Sequence, residues 1–160
     1  MAERAGWGKS AANGVHRGLA VCKAFASYVA ACAEVSIDGE GRLKIHRIVA
    51  ATDPGHAVNP QQIEAQVEGS FVFGLSAMLY GECTVKNGSV EQTNFHSYPT
   101  MLMAEMPKVE VIVMPSGDFW GGVGEPTIAV AAPAVLNAIY AATGKRVRRL
   151  PLKNVDLSSA

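Results

Sequence analysis

The sequence predicts an α+β fold in which antiparallel or mixed sheets pack against two main helices. Three observations support this: apolar runs separated by turn residues before residue 54, a helical apolar stripe after residue 60, and a second apolar helix after residue 127. With 160 residues, 49% of them hydrophobic, the chain is long enough to bury a sizeable core as one domain.

The strand signal begins at Gly18. Three runs, "GLAVCKAF", "SYVAACAEVSID" and "RLKIHRIVAATD", are rich in β-branched and alternating apolar residues, and together they predict an antiparallel meander. The turn material "DGEG" places a hairpin at residues 38–41. Residues 1–18 show no such period and predict a helix end followed by a loop. We therefore divide the chain into residues 1–18 and a domain portion over residues 19–160.

The first helix has a clear start signal. Asn59 is a favoured N-cap, and Pro60 suits the first helical position, where no backbone donor is needed. Apolar and small residues then recur at helical spacing, which predicts a helix over residues 60–79 with one buried stripe. The stripe consists of Ile63, Val67, Phe71, Gly74 and Met78.

The second half of the chain returns to strands before its last helix. The dipeptide Asn87-Gly88 predicts a tight hairpin, and "VEVIVM" predicts a strand over residues 109–114. The stretch from Thr127 to Val147 predicts a helix that ends at Gly144. Pro133 removes a backbone donor and is expected to kink or restart this helix.

Several function classes are disfavoured. Fourteen basic and fourteen acidic residues cancel, and no basic run carries interleaved aromatics, so nucleic acid is not an expected partner. The three cysteines and four histidines show no metal-ligand spacing. The "GWGKS" stretch has Glu3 where a P-loop requires its first glycine, so we interpret it as a polar loop.

The stretch "GGVGEP" at residues 121–126 joins the predicted strand to the last helix. Gly124 permits a tight turn, and Pro126 suits the first helical residue, which places Glu125 at the cap. Glutamate caps poorly because its side chain is one methylene longer than that of aspartate. Two interpretations stay open on local grounds: a surface turn, or a carboxylate free to face a reacting group. Gln66 lies at the margin of the buried stripe, where a glutamine is typically solvated or bonded to the backbone, so its position alone assigns it no function.

Three separated stretches, taken in order, resemble one known family. They are "ATDPGHAVNPQQIEAQVEGSFVFGLSAMLYGE", "VEQTNFHSYP" and "GGVGEPTIAVAAPAVLNAIYAATGKRVRRLPL". Together they resemble the C-terminal part of the molybdopterin-binding large subunit of the xanthine dehydrogenase and aldehyde oxidase family. The resemblance covers nearly the whole chain, and residues 19–160 correspond to the C-terminal portion of its molybdopterin-binding domain.

The resemblance implies roles for five residues. The glutamate of the family's Gly-Xaa-Gly-Glu-Pro stretch is the general base beside molybdenum, and Glu125 holds that position here. The glutamine of the Gln-Xaa-Glu-Gly stretch, here Gln66, contacts the molybdenum centre or its pterin. Gly122, Val123 and Gly124 correspond to the backbone wall next to the metal. No protein side chain is expected to ligate the metal, because the pterin dithiolene holds it.

The resemblance also implies an activity and an assembly. Members of the aldehyde and isoquinoline oxidoreductase type oxidise or hydroxylate aldehydes or N-heterocyclic aromatics. Their cofactor is molybdopterin with molybdenum, here expected in the cytosine dinucleotide form, and the electrons leave through iron–sulfur clusters on a partner subunit.

Because family members are much longer, the expected partners are the N-terminal remainder of the large subunit and an iron–sulfur small subunit. The chain alone should then be inactive. The alternative is a truncated, inactive module that only binds a partner subunit. The N-terminus carries no signal core, which favours the cytoplasm, or the periplasm if a partner exports the assembly.

Overall fold

The computed structural model describes residues 1–158. It contains six strands and two α-helices among these residues: β1 (His16–Ala24), β2 (Ser27–Ile37), β3 (Leu43–Asp53), α1 (Pro60–Leu79), β4 (Val85–Lys86), β5 (Ser89–Val90), β6 (Lys108–Val113) and α2 (Ile128–Thr143). Short 3₁₀ turns lie at Met103–Glu105, Glu125–Thr127 and Leu152–Asn154. The predicted α+β class is confirmed.

The main sheet has the strand order β1-β2-β3-β6. The first three strands form the predicted antiparallel meander, with Ala24 opposite Ser27 at the first turn. β6 joins β3 in parallel, with Arg47 opposite Lys108. A parallel neighbour requires a crossover connection, and α1 lies within that connection. The sheet is therefore mixed, with β1 and β6 at its edges.

Both helices cover one face of this sheet. α2 packs on β1 and β2, whereas α1 packs on β6 and on α2. Alternate residues of the strands point towards the helices, as the pleat requires. In β2 these are Val29, Ala31, Ala33 and Val35, all fully buried in the hydrophobic core.

α1 follows its prediction closely. The Asn59 side chain accepts a hydrogen bond from the Gln62 backbone N–H at 3.2 Å, and Pro60 is the first helical residue. All five residues of the predicted stripe are buried. Gly74 permits close packing of the helices, since a Cβ there would lie 2.7 Å from the Ala131 Cβ.

α2 differs from its prediction at its start. Glu125 is the first residue of a 3₁₀ turn rather than the cap residue, because the Ile128 N–H donates to the carbonyls of Glu125 and Pro126. The helix then runs through Pro133 as one element and ends at Gly144, which has a φ of 71°. The backbone of Glu125 is therefore part of the 3₁₀ turn that precedes α2.

The segment Glu125–Thr143 is long and apolar enough to cross a membrane by length and composition, with a mean hydropathy of 1.4. The sequence predicts no apolar run of the roughly 18–20 residues needed to span a bilayer, and this segment differs from that expectation. Its packing is nevertheless that of a core helix, because one side lies buried against the sheet and α1. The buried residues of α2 are Val130, Ala131, Ala134, Val135, Ala138 and Ile139.

The other face of the sheet carries a row of ion pairs. Arg17 donates to Glu34 at 2.9 Å, and Arg47 lies 3.8 Å from Glu34 and 2.9 Å from Glu110. Arg4, from the N-terminal segment, also pairs with Glu110. These guanidinium groups lower the pKa of the Glu110 carboxyl, chiefly through the hydrogen bond from Arg4. The row spans all four strands and attaches the N-terminal segment to the sheet.

The "GWGKS" stretch lies in this N-terminal segment. Its Gly6 and Lys9 carbonyls accept hydrogen bonds from Arg17 at 2.8 and 2.9 Å. A phosphate site would instead present backbone N–H groups. The segment before β1 therefore bonds to a cationic side chain of the protein, in agreement with the polar-loop interpretation, and β1 begins at His16, two residues before Gly18.

Candidate functional site

The loop after β6 carries the "GGVGEP" stretch, and backbone hydrogen bonds hold it against the β1–β2 turn. The Gly122 N–H donates to the Phe25 carbonyl at 2.8 Å, and the Ser27 hydroxyl donates to the Gly122 carbonyl at 2.6 Å. The Gly121 N–H donates to the Pro54 carbonyl at 2.9 Å. Ser27 is fully buried, so water cannot replace its hydroxyl.

Gly121 is required by this close contact. A Cβ at this position would lie 2.2 Å from the Ser27 Oγ and 2.9 Å from the backbone of Ala26. Real Cβ atoms essentially never approach other atoms so closely. A residue larger than glycine at position 121 would therefore force the loop away from the β1–β2 turn.

Asp53, at the end of β3, joins two loops at the same end of the sheet. Its carboxylate accepts hydrogen bonds from the Gly55 N–H at 2.9 Å and from the N–H and hydroxyl of Ser116 at 3.0 Å each. These hydrogen bonds lower the pKa of the Asp53 carboxyl, and the bond from the Gly55 N–H contributes most. An ionised Asp53 thus fixes where the chain enters the loop that leads to Glu125.

Glu125 lines an open cavity of about 340 Å³ between the loop and α1. Gln66 of α1 faces it, and a Cβ at Gly124 would lie 3.4 Å from the Gln66 Oε1. Glu125 itself is exposed, and the ion pairs of residues 1–158 all join other side chains. The cavity therefore offers a free carboxylate beside a side-chain amide.

The structure brings together three of the five predicted site residues. Gln66, Gly124 and Glu125 line the cavity, whereas Gly122 and Val123 do not. The Val123 side chain packs against the hydrophobic core instead, and Gly122 contacts the β1–β2 turn. The other lining residues, for which the sequence predicted no functional role, are Gly69, Ser70, Phe73 and Ile128.

Helical spacing could have found part of this set. Residues three, four and seven positions after Gln66 lie on the same side of a helix, and these are Gly69, Ser70 and Phe73. Phe73 is 74% exposed, which is unusual for phenylalanine. An exposed aromatic at the rim of a cavity is informative, because it leaves apolar area open to contact.

More exposed aromatic rings lie at the loop and at the turn it contacts. Phe25, Phe119 and Trp120 are each more than 60% exposed. Trp120 stacks on His56 with ring centroids 5.1 Å apart and planes inclined by 8°. The Glu125 cavity therefore lies at an end of the molecule that is rich in exposed aromatic surface.

A larger cavity of about 560 Å³ lies elsewhere, between the end of α1 and the starts of β3 and β6. Two of its lining residues are hydrogen-bonded to each other, with the Tyr80 hydroxyl donating to the Glu105 carboxylate. Burial, with Glu105 alongside, raises the pKa of Tyr80 to about 12, so Tyr80 keeps its proton. This cavity contains none of the predicted site residues.

Side chains that could hold a bare metal ion do not cluster in the described part of the chain. No group of three or more His, Cys, Asp or Glu residues converges within residues 1–158. The polar groups at the Glu125 cavity are instead a carboxylate, an amide, a hydroxyl and the backbone at two glycines.

Comparison with known proteins identifies the family. The molybdopterin cofactor-binding domain family matches residues 7–107 of the chain. The chain is 31% identical over 157 residues to isoquinoline 1-oxidoreductase subunit beta of Brevundimonas diminuta, covering 96% of this chain and 20% of that protein. It is 33% identical over 118 residues to the xanthine dehydrogenase molybdenum-binding subunit of Escherichia coli O157:H7, covering 69% and 16%.

A solved structure agrees in fold. A Cu,Mo-CO dehydrogenase superposes with a TM-score of 0.64 at 27% identity, over 72% of this chain and 16% of that one. The chain thus spans about a fifth or less of the proteins it matches. The family resemblance predicted from the three ordered motifs is confirmed: the chain belongs to the molybdopterin cofactor-binding domain family of the xanthine dehydrogenase and aldehyde oxidase type.

Proposed function

We propose that this chain forms the part of a molybdenum oxidoreductase subunit in which Glu125 acts as the general base and Gln66 contacts the molybdopterin group. One observation carries the proposal: Glu125 and Gln66, which are 59 positions apart in sequence, line the same open cavity. The relative that matches 96% of this chain supports it, because that match extends beyond the family match at residue 107.

The residues present fit a polar organic cofactor. A Cβ at Gly69 would meet no atom within 4 Å, so the backbone borders open space there. Gln66 adds an amide that both donates and accepts hydrogen bonds. Gln66, Gly69 and Gly124 would hold the pterin side of the group, with Gly122 and Val123 behind them in the loop. When bound, the group supplies a Lewis-acidic, redox-active molybdenum centre.

Glu125 is suited to accept a proton at its Oε atoms. Its carboxylate is exposed and forms no ion pair with another residue of the described chain. A lysine or arginine partner would compete for the carboxylate and weaken it as a base. General-base catalysis by a positioned side chain contributes about two to four orders of magnitude in rate.

The proposal extends to substrate, cofactor form and partners. The names of the relatives favour aldehydes or N-heterocyclic aromatics such as isoquinoline as substrates. We expect the cytosine dinucleotide form of the cofactor, the remainder of the large subunit, and an iron–sulfur small subunit. Because the chain spans so little of its relatives, we expect the isolated chain to be inactive. We place the assembly in the cytoplasm, or in the periplasm if a partner exports it.

Replacement of Glu125 tests this function. In the complex reconstituted with the remainder of the subunit and an iron–sulfur partner, Glu125→Gln should lower dye-linked oxidation of aldehydes or isoquinoline about 100- to 10,000-fold. Molybdenum and pterin content should not change. Glu64→Gln, an exposed α1 residue outside the cavity, is the matched control and should stay within about twofold. Full turnover by Glu125→Gln, or a complex without molybdenum, would contradict the proposal.

A second candidate function is a module that only binds a partner subunit. The exposed aromatics favour it, because Phe25, Phe119 and Trp120 leave a large apolar area at one end of the described chain. The purified chain should then bind a hydrophobic dye and elute as a complex with the remainder of the subunit, without oxidising any substrate in that complex. Turnover by the complex would exclude this candidate.

A further inference from the structure

The buried polar side chains of residues 1–158 share one chemistry. They are Ser27, Thr52, Ser70 and Thr127, and each is a hydroxyl exposed by 6% or less. Three of them have hydrogen-bond partners, whereas the Thr52 hydroxyl has none in the described chain. A buried hydroxyl costs free energy unless it is hydrogen-bonded, so breaking the bonds of Ser27, Ser70 or Thr127 would destabilise the contacts that these residues form.

Ser70 and Thr127 form a short chain of hydrogen bonds between α1 and the 3₁₀ turn. The Ser70 hydroxyl donates to the Val67 carbonyl at 2.7 Å, which uses its only proton. Ser70 must then accept at its 2.5 Å contact with Thr127, and the Thr127 hydroxyl must donate. Thr127 therefore has no proton left for the Gly124 carbonyl, which lies at the longer distance of 3.4 Å.

This chain of bonds links the two sides of the Glu125 cavity. Ser70 lies one helical turn after Gln66, and Thr127 lies two residues after Glu125. Both hydroxyls are buried, at 6% and 0% exposure, so the bond cannot be exchanged easily for one to water. The bond fixes the distance between the α1 turn that carries Gln66 and the 3₁₀ turn that carries Glu125.

We propose that Thr127 and Ser70 are positioning residues that set the place of Glu125 relative to Gln66 through the Thr127 to Ser70 hydrogen bond. The proposal rests on the proposed function of Glu125 for its catalytic consequence, but not for its structural one. Removal of the Thr127 hydroxyl would leave Ser70 bonded to Val67 and would release the 3₁₀ turn from α1. A carboxylate displaced by about 1 Å from its productive place loses about 100-fold in rate.

The test uses isosteric substitutions. Thr127→Val removes the hydroxyl and keeps the shape, whereas Thr127→Ser keeps the hydroxyl. In the reconstituted complex, Thr127→Val should lower kcat about 10- to 100-fold with KM within about threefold, and Thr127→Ser should recover most of it. Thr52→Val is the matched control, because that buried hydroxyl has no partner to lose, and it should leave kcat within about twofold.

A second measurement does not depend on activity. In the 160-residue chain, the backbone ¹H–¹⁵N signals of Gly124 and Glu125 should shift or broaden in Thr127→Val and in Ser70→Ala, and return in Thr127→Ser. The double variant of Thr127→Val and Ser70→Ala should differ little from Ser70→Ala alone, because Ser70→Ala already breaks the bond to Thr127. Ser70→Ala and Thr127→Ser keep the test available if Thr127→Val does not fold.

The outcomes separate the two proposals. Unchanged Gly124 and Glu125 signals in Thr127→Val, or an equal loss of kcat in Thr127→Ser and Thr127→Val, would overturn the positioning role. Altered signals together with full turnover by Glu125→Gln would leave the positioning role standing and overturn the proposed function.

Discussion

Two hairpin turns in this molecule have similar backbone conformations, with positive φ at both central residues, but very different residue types at those positions. The β4–β5 turn uses Asn87 and Gly88, with φ values of 50° and 79°. The β1–β2 turn uses Phe25 and Ala26, with φ values of 50° and 61°. Positive φ at both central positions suits the right-handed twist of a hairpin, and Asn-Gly is the favoured pair. For other residues this conformation costs about 1–2 kcal/mol each.

The difference shows where tertiary contacts replace local preference. A Cβ at Gly88 would meet nothing within 4 Å, so the β4–β5 turn depends on its own residues. The β1–β2 turn instead accepts the Gly122 N–H at the Phe25 carbonyl and packs against Gly121. Its unfavourable conformation persists because the loop before Glu125 holds it, and strain of this kind is concentrated at functional sites.

The largest effect is expected where the two elements touch. Gly121→Ala would place a methyl group 2.2 Å from the Ser27 Oγ, so the turn and the loop must separate. We expect the free energy of unfolding to fall by about 3 kcal/mol, as measured by urea denaturation. Gly88→Ala is the matched control: it meets no atom but keeps an unfavourable φ, and should cost about 1 kcal/mol. Equal losses would show that the contact does not hold the turn.

A smaller effect of opposite sign is expected at the strained turn itself. Ala26→Gly removes the Cβ from a residue with a φ of 61°. We expect the free energy of unfolding to rise by about 0.5–1 kcal/mol, since relief of strain exceeds the added flexibility of the unfolded chain. Ala24→Gly, at the end of β1, should instead lower it by about 0.5–1 kcal/mol. A loss of stability in Ala26→Gly would contradict the account of strain.

The smallest effect is expected on the pH dependence of stability, through the hydrogen bonds that the Asp53 carboxylate accepts from Gly55 and Ser116. The pKa of its carboxyl is lowered in the folded state, so its contribution to stability is present above the ordinary carboxyl pKa of about 4 and is lost as pH falls through the folded value. Asp53→Asn should therefore lower stability at pH 7 and narrow the difference between pH 7 and pH 3 in urea denaturation.

Asp38, in the β2–β3 turn, provides the contrast. Its pKa is lowered chiefly by hydrogen bonding to Arg42, an exposed cation, whereas the partners of Asp53 are neutral. Salt screens interactions between exposed charges. Added sodium chloride should therefore diminish the effect of Asp38→Asn more than that of Asp53→Asn, and equal sensitivity to salt would contradict this assignment.

Local chemistry made part of this molecule predictable. The α1 stripe and its Asn59 cap follow from helical period and capping preference, and the turn at Asn87-Gly88 follows from its two residues. The turn at Phe25 and Ala26 could not be predicted, because nothing in its own residues favours positive φ. Its cause lies nearly 100 positions further along the chain, at Gly121 and Gly122.

The site was predictable to a similar degree. Resemblance to a family singled out Glu125 and Gln66, but no spacing could show that α1 and the loop share a cavity. The Thr127 to Ser70 hydrogen bond was likewise hidden, because threonine before a helix is common and serine within a helix is unremarkable. The two hydroxyls meet because α1 packs against the 3₁₀ turn, and this tertiary contact is not visible in the sequence.

The parallel strand β6 has a consequence for the order in which the protein assembles. Among residues 1–158, β6 pairs only with β3, and residues 54–107 lie between the two strands. β1, β2 and β3 instead follow one another through short turns. Pairing across a long connection closes late, after local hairpins have formed. We expect the amides of β6 to exchange hydrogen before those of β2, and the Glu125 loop to be the last part of the domain to take its final form.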